Sequence, residues 1–201
     1  MTGAAEEQRI AAAKARLRGE MRERLASVPV AERRERSGRV VERLGALGEI
    51  RGAANLLLHR PLPTEVDLDP LLAVALERGE RVFAPRLDGA RLGFVRVRAE
   101  TRWRRSTLGT LEPAKGEALA REDLERGVTL IVVPGLAFSL RGARLGRGGG
   151  HYDRCLREIR KAGRVQVVGI AFELQILPEV PSLDHDEPVD RVVTEERLIE
   201  R

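Results

Sequence analysis

Residues 130–156, LIVVPGLAFSLRGARLGRGGGHYDRCL, limit what this chain can be more than any other stretch. An apolar run at 130–133 has the character of a buried strand. It leaves through Pro134 and Gly135 into a segment carrying Arg141, Arg144 and Arg147. That segment ends on three consecutive glycines, Gly148, Gly149 and Gly150, and a helical pattern follows at 152–161. Glycines let backbone N–H groups approach an anion closely, and the helix N-terminus behind them favours negative charge. Interleaved arginines add counter-charge and forked donors. The segment reads as a phosphate-binding loop on an α/β fold, with a flexible surface loop before a helix start as the bland alternative.

No standard nucleotide motif accounts for it. G-x-x-x-x-G-K-[ST] is absent, and G-x-G-x-x-G fails because Gly146 and Gly148 are followed by His151 where the third glycine should stand. There is also no G-x-S-x-G, so serine hydrolysis has no support. His151 and Cys155 share a helix face at i, i+4, but two ligands do not make a zinc site. Cys155 reads as a small buried residue.

The 201 residues suit one domain with a sizeable core. Aromatic residues make up only 3%, so that core must rest on aliphatic side chains. A single cysteine excludes an internal disulfide and fits a reducing compartment. With no apolar leader and no run of membrane-spanning length, the expected address is the cytoplasm and no membrane is expected as a partner. The net charge is +5, and lysine occurs only at 14, 115 and 161, so arginine supplies the rest of the 36 basic residues. Acidic substrates and nucleic acid are the two partner classes such a balance suggests. The charges are mixed along the chain and aromatics are too few for base-stacking platforms, so nucleic acid is not the expected partner.

Helices are expected at 5–27, 31–47, 66–78, 116–125 and 152–161. Strands are expected at 53–58, 81–85, 92–97, 128–133, 164–172 and 191–194. Residues 98–116 read as irregular, and 60–67 and 178–190 as proline-bearing loops. This alternation argues for a single α/β domain over 1–201, a mostly parallel open sheet with helices on both faces, Rossmann-like and doubly wound. Ligands in such folds sit at the C-terminal strand ends. Three polar sets lie near these ends or on the first helix. Lys14 and Arg18 lie at i, i+4 on one helix face, which spacing alone could make a solvated face. Glu65 follows the proline loop and could simply cap the next helix. Asp153 sits in the first turn of the helix after the glycines, where a carboxylate either complements the helix dipole or ligates Mg²⁺ beside a phosphate.

The 130–156 segment closely resembles the signature of the 5-formyltetrahydrofolate cyclo-ligases, also called 5,10-methenyltetrahydrofolate synthetases. The matching residues are Val133-Pro134-Gly135, Ala137-Phe138, Gly142, Arg144-Leu145-Gly146, the three glycines, Tyr152-Asp153-Arg154 and Leu156. The likeness extends to Lys14-Ala15-Arg16-Leu17-Arg18 near the start, to Glu65-Val66-Asp67, and to 185–195 with Asp186, Asp190, Thr194 and Glu195. The resemblance implies ATP·Mg²⁺-dependent cyclisation of 5-formyltetrahydrofolate by a cytoplasmic monomer. It implies that Lys14, Arg18, Arg144, Gly146, Arg147, Gly148, Gly149, Gly150 and Asp153 hold ATP, and that Arg144, Arg147 and Tyr152 act in catalysis. Glu65, Arg60 and Tyr152 would bind the folate, and Asp153 with Asp186 the Mg²⁺. One departure stands out: the family usually reads Tyr-Tyr-Asp after the glycines, and this chain reads His151-Tyr152-Asp153, losing one stacking surface. The alternatives are a paralogue that keeps the ATP site but acts on another substrate, and a basic protein associated with nucleic acid.

Overall fold

In the strand at Asn55–Leu57 (β1) every residue is buried, and the same holds for five of the six residues of Thr129–Pro134 (β6). Strands covered on both faces belong in the middle of a parallel sheet, and that is where the computed structural model, which describes residues 3–201, places them. β1 pairs in parallel with β6 on one side and with Val82–Asp88 (β2) on the other. Beyond β6 lie Val165–Ile170 (β9) and then Arg191–Val193 (β11), both parallel. Antiparallel strands close the two edges, Arg91–Arg96 (β3) beside β2 and Leu198–Glu200 (β12) beside β11.

Successive side chains of a strand point to opposite faces, and two cores result. Leu56, Leu130, Val132, Val168 and Ile170 face one side. They meet Met21 and Leu25 of α1 (Gly3–Ser27), Val40 and Leu44 of α2 (Val30–Gly45) and Leu71, Leu72 and Ala75 of α4 (Asp69–Glu77). A short α3 (Gly48–Gly52) adds Ile50 to this layer. Leu57, Ile131, Val133 and Val167 face the other side, against Leu124 of α5 (Arg121–Glu125) and Cys155, Leu156 and Ile159 of α6 (His151–Ala162). The expected doubly covered, mostly parallel sheet is the observed one. The strand order reverses between β1 and β6, since β2 returns on one side and β6 on the other. In an open α/β sheet that crevice is where ligands bind.

Several boundaries differ from expectation. The helix expected from 66 begins at Asp69 because Pro70 suits a first turn and disfavours helix before it. Asp67 accepts the Asp69 N–H at 3.0 Å there. The helix expected from 116 starts at Arg121, because the N–H of Arg96 in β3 bonds the Glu117 carbonyl and the N–H of Leu119 bonds the Phe94 carbonyl of β3, holding this stretch extended. The stretch 98–116 is not irregular throughout: Trp103–Arg105 (β4) and Leu111–Pro113 (β5) form an antiparallel ribbon. The segment 134–150 is not an open loop either. Ala137–Ser139 (β7) pairs antiparallel with Arg144–Leu145 (β8) and parallel with Ile176–Leu177 (β10), which follows a 3-10 turn at Glu173–Gln175.

Phe138 anchors this hairpin to the sheet. Its fully buried ring lies against the backbone of Gly169 in β9, where an added Cβ would stand 2.5 Å from the ring. Gly169→Ala should therefore lower stability by about 1–3 kcal/mol, the range for overpacking. Urea unfolding of the variant measures it, and an unchanged midpoint would contradict this packing.

Candidate active site

The first turn of α6, the β8–α6 loop and the C-terminal end of β1 enclose, with α1, a cavity of about 640 Å³. Gly148 (φ +113°) and Gly150 (φ +63°) have left-handed backbone that other residues rarely adopt, and Gly150 directly precedes α6. The N–H groups of Gly148, Gly149 and Gly150 donate to no other described residue. They stand at the N-terminus of α6, which makes this end of the cavity a seat for an anion.

Cations converge on the same end. Arg144, nearly fully buried, donates from Nη2 to Asp153 Oδ1 at 2.7 Å and from Nη1 to the Pro134 carbonyl at 3.4 Å. Its guanidinium lies 5.6 Å from the Tyr152 ring centroid, and its buried Nε has no protein partner. Lys14 is buried on α1 and bonded to Asp186. One turn further along α1, Arg18 donates to the Gly146 carbonyl at 2.9 Å, and Arg18 has no carboxylate partner among the described residues. Arg147 reaches across to Glu65 Oε1 at 2.8 Å. Lys14, Arg18, Arg144, Arg147 and the glycines, expected together, are together.

Glu65 lines the same cavity. Its Oε2 accepts the Leu62 N–H at 2.9 Å, and the residue therefore closes the loop after β1 rather than capping α4. Arg60 lines the cavity as well, but its guanidinium donates to Asp69 at 2.7 Å and stacks 4.9 Å from the Trp103 ring. Leu87 and Leu92 of the β2–β3 hairpin and Leu111 of β5 supply an apolar wall. His151, in place of the usual aromatic, bonds through Nδ1 with the Ala90 carbonyl at 3.1 Å and so ties α6 to the β2–β3 turn.

Burial and the Glu65 charge push the Tyr152 hydroxyl well above the ordinary phenol range, with Arg144 only partly opposing them. Tyr152 is therefore a phenol, a hydrogen-bond donor rather than a base. Burial opposes ionisation of Asp186, but bonds from Lys14 and the Leu183 N–H outweigh it and hold the carboxyl below the ordinary aspartate value. Burial pushes the Cys155 thiol up to about 12, so it is not a nucleophile.

Asp153 and Asp186 come together at the cationic end. The N–H of Glu187, next to Asp186, donates to Asp153 Oδ1 at 3.3 Å. Each carboxylate keeps one oxygen, Oδ2 of Asp153 and Oδ1 of Asp186, outside the protein's hydrogen bonds. Two carboxylates with a free oxygen each fit Mg²⁺, which takes one or two protein carboxylates and draws further ligands from phosphate and water. No group of three or more candidate metal ligands exists among the described residues, so a dedicated protein cage is not what this site offers.

Sequence reasoning missed His59, a buried residue at the end of β1 facing Glu65, and Glu112 of β5, a buried carboxylate that accepts the Leu87 N–H at 3.0 Å. The signal for His59 was available: it ends an apolar run at the C-terminal edge of a central strand.

An α/β sheet with a glycine turn and clustered cations at its switch point has the arrangement of a ligand-binding crevice. Residues 10–195 match the model of the 5-formyltetrahydrofolate cyclo-ligase family, and the chain belongs to that family of enzymes. A mouse 5-formyltetrahydrofolate cyclo-ligase is 28% identical over 92% of this chain and 94% of its own. A probable 5-formyltetrahydrofolate cyclo-ligase of Schizosaccharomyces pombe is 33% identical over 76% of this chain and 80% of its own. The solution structure of Aquifex aeolicus 5,10-methenyltetrahydrofolate synthetase superposes with a TM-score of 0.79 at 32% identity, covering 93% of this chain and 92% of that one.

The Lys14–Asp186 pair makes one demand on stability. Lys14→Met keeps the length of the side chain and strands a half-buried carboxylate, which should cost about 1–3 kcal/mol. Chemical denaturation of the two proteins tests it, and equal stability would mean that Asp186 finds water instead.

Proposed function

We propose that this enzyme converts 5-formyltetrahydrofolate to 5,10-methenyltetrahydrofolate, consuming ATP and releasing ADP and phosphate. The observation that carries this reading is one cavity lined by two kinds of group. One set is the free N–H groups of the glycines with Lys14, Arg18, Arg144 and Arg147. The other is Glu65 and an apolar wall, with Glu65 joined to the first set through Arg147.

The chemistry asks for both sets. A formamide oxygen is a poor leaving group. Transfer of the γ-phosphoryl group of ATP to the formyl oxygen makes it a phosphate ester. The folate N10 then attacks the activated carbon and gives up its proton to the departing phosphate or to water, and the C–O bond breaks with departure of phosphate that carries the former formyl oxygen. The protein's part is positioning and charge stabilisation. The glycine N–H groups, Arg18 and Lys14 would hold the triphosphate. Arg144 and Arg147 would face the equatorial oxygens in transit, where fixed donors stabilise developing charge. Tyr152 would donate to the formyl group. Glu65 accepts bonds, so it suits the paired N–H groups of a pterin edge. Arg60 would help to border the folate. Asp153 and Asp186 would hold Mg²⁺, which supplies charge neutralisation at the phosphates.

A monomer acting on small molecules in the cytoplasm is the reading that accompanies the family likeness. No helix among the described residues is long and apolar enough to cross a membrane.

Purified protein given 5-formyltetrahydrofolate, ATP and Mg²⁺ should develop the absorbance of the methenyl product, and no signal should appear without ATP. Absence of product from folded protein would reject the reading. Arg144→Ala should lower kcat by about 10²–10³, the loss typical of one such stabiliser, while folate binding measured by calorimetry stays within about threefold. A variant turning over within twofold of wild type would remove Arg144 from the mechanism.

A further inference from the structure

His59 lines the cavity and is only 6% exposed, yet the reaction described so far gives it nothing to do. Its Nδ1 lies 3.4 Å from the Val132 carbonyl of β6, and a carbonyl only accepts, so Nδ1 carries the proton. Burial holds the ring below the ordinary imidazole value, more than the Glu65 charge and the Val132 carbonyl restore. The ring is therefore neutral, and Nε2 is a lone pair that bonds to no described residue.

That lone pair lies 4.0 Å from Glu65 Oε2. Glu65 is already an acceptor on both oxygens, from Arg147 and from the Leu62 N–H. Two acceptors thus face one another at the cavity wall with no donor from the protein to join them. Both residues line the cavity, and a ligand bearing adjacent N–H groups is the partner that matches two acceptors side by side. An acceptor pair of this kind discriminates, because an analogue without the donors leaves both groups unpaired.

Resting on the folate reading of the site, we propose that His59 is a specificity-determining residue of the Glu65 subsite. Its Nε2 and the Glu65 carboxylate together accept the amino and ring N–H groups of a 2-amino-4-oxopyrimidine edge. The ring is held in place across the switch point, from the end of β1 to the backbone of β6, so the sheet itself fixes the lone pair's aim.

The test uses turnover to the methenyl product with three proteins and two folates. His59→Asn keeps a donor for Val132 and deletes the Nε2 acceptor. It should raise KM for 5-formyltetrahydrofolate about tenfold, equal to about 1.4 kcal/mol, and leave KM for ATP within twofold. The preference for this folate over an analogue with the 2-amino group replaced by methyl should shrink by a similar factor. His59→Gln loses the Val132 bond but carries an acceptor near the Nε2 position. It should keep the folate KM within about threefold of wild type while its thermal stability falls. Unchanged folate KM in folded His59→Asn, an equal rise for folate and ATP, or undiminished discrimination against the analogue would overturn the proposal. So would a tenfold rise in folate KM for His59→Gln. Wild-type protein that makes no product would instead sink the folate reading, and the proposal with it.

Discussion

The buried bond between Arg144 and Asp153 is what the site depends on. Arg144 belongs to β8 and Asp153 to α6, so their 2.7 Å contact fixes where the glycine turn between them must run. The same guanidinium reaches the Pro134 carbonyl at the end of β6. One side chain thus ties the hairpin, the helix and the central strand together. Taking a guanidinium out of water costs several kcal/mol, and a carboxylate partner with hydrogen bonds is what makes that tolerable. The unmatched Nε marks where the compensation stops.

The remaining cations obey the same logic. Lys14 is held by Asp186 and Arg147 by Glu65, so the cavity carries its positive charge in neutralised pairs. A bound triphosphate would compete for the cations and Mg²⁺ for the released aspartates. The exchange replaces protein–protein ion pairs by protein–ligand ones. It needs little movement, because each partner already faces the cavity. Arg18, whose bond is to a carbonyl, is the one cation of this set that starts without a carboxylate to give up among the described residues.

Much of this was legible in the chain itself. Largely apolar runs, with one polar residue in each strand, marked β1, β6 and β9, because a strand covered on both faces has no solvent side to encode. The glycines and arginines of 144–150 marked the anion seat, and Lys14, Glu65 and Asp186 came with the family likeness. What stayed hidden has physical reasons. β7, β8 and β10 are two or three residues long and too short to show a period. The β4–β5 ribbon is held in place partly by Arg60 stacking on Trp103, a contact between distant parts of the chain. His59 lies between the expected strand at 53–58 and the proline-bearing loop at 60–67, and only the sheet order shows that Val132 lies beside it.

Two sets of residues in one cavity serve two ligands, and calorimetry of Glu65→Gln with each ligand separately tests that most directly. The substitution keeps the size of the side chain, removes its charge and turns one acceptor into a donor. Charge-assisted bonds of about 1.5–3 kcal/mol each are at stake, so affinity for 5-formyltetrahydrofolate should fall by roughly one to two orders of magnitude. ATP affinity should not fall, since the glycine turn, Lys14, Arg18 and Arg144 are untouched and the one cation affected, Arg147, is released from its Glu65 partner rather than removed. Unchanged folate affinity, or an equal loss for both ligands, would contradict the separate roles of the two sets.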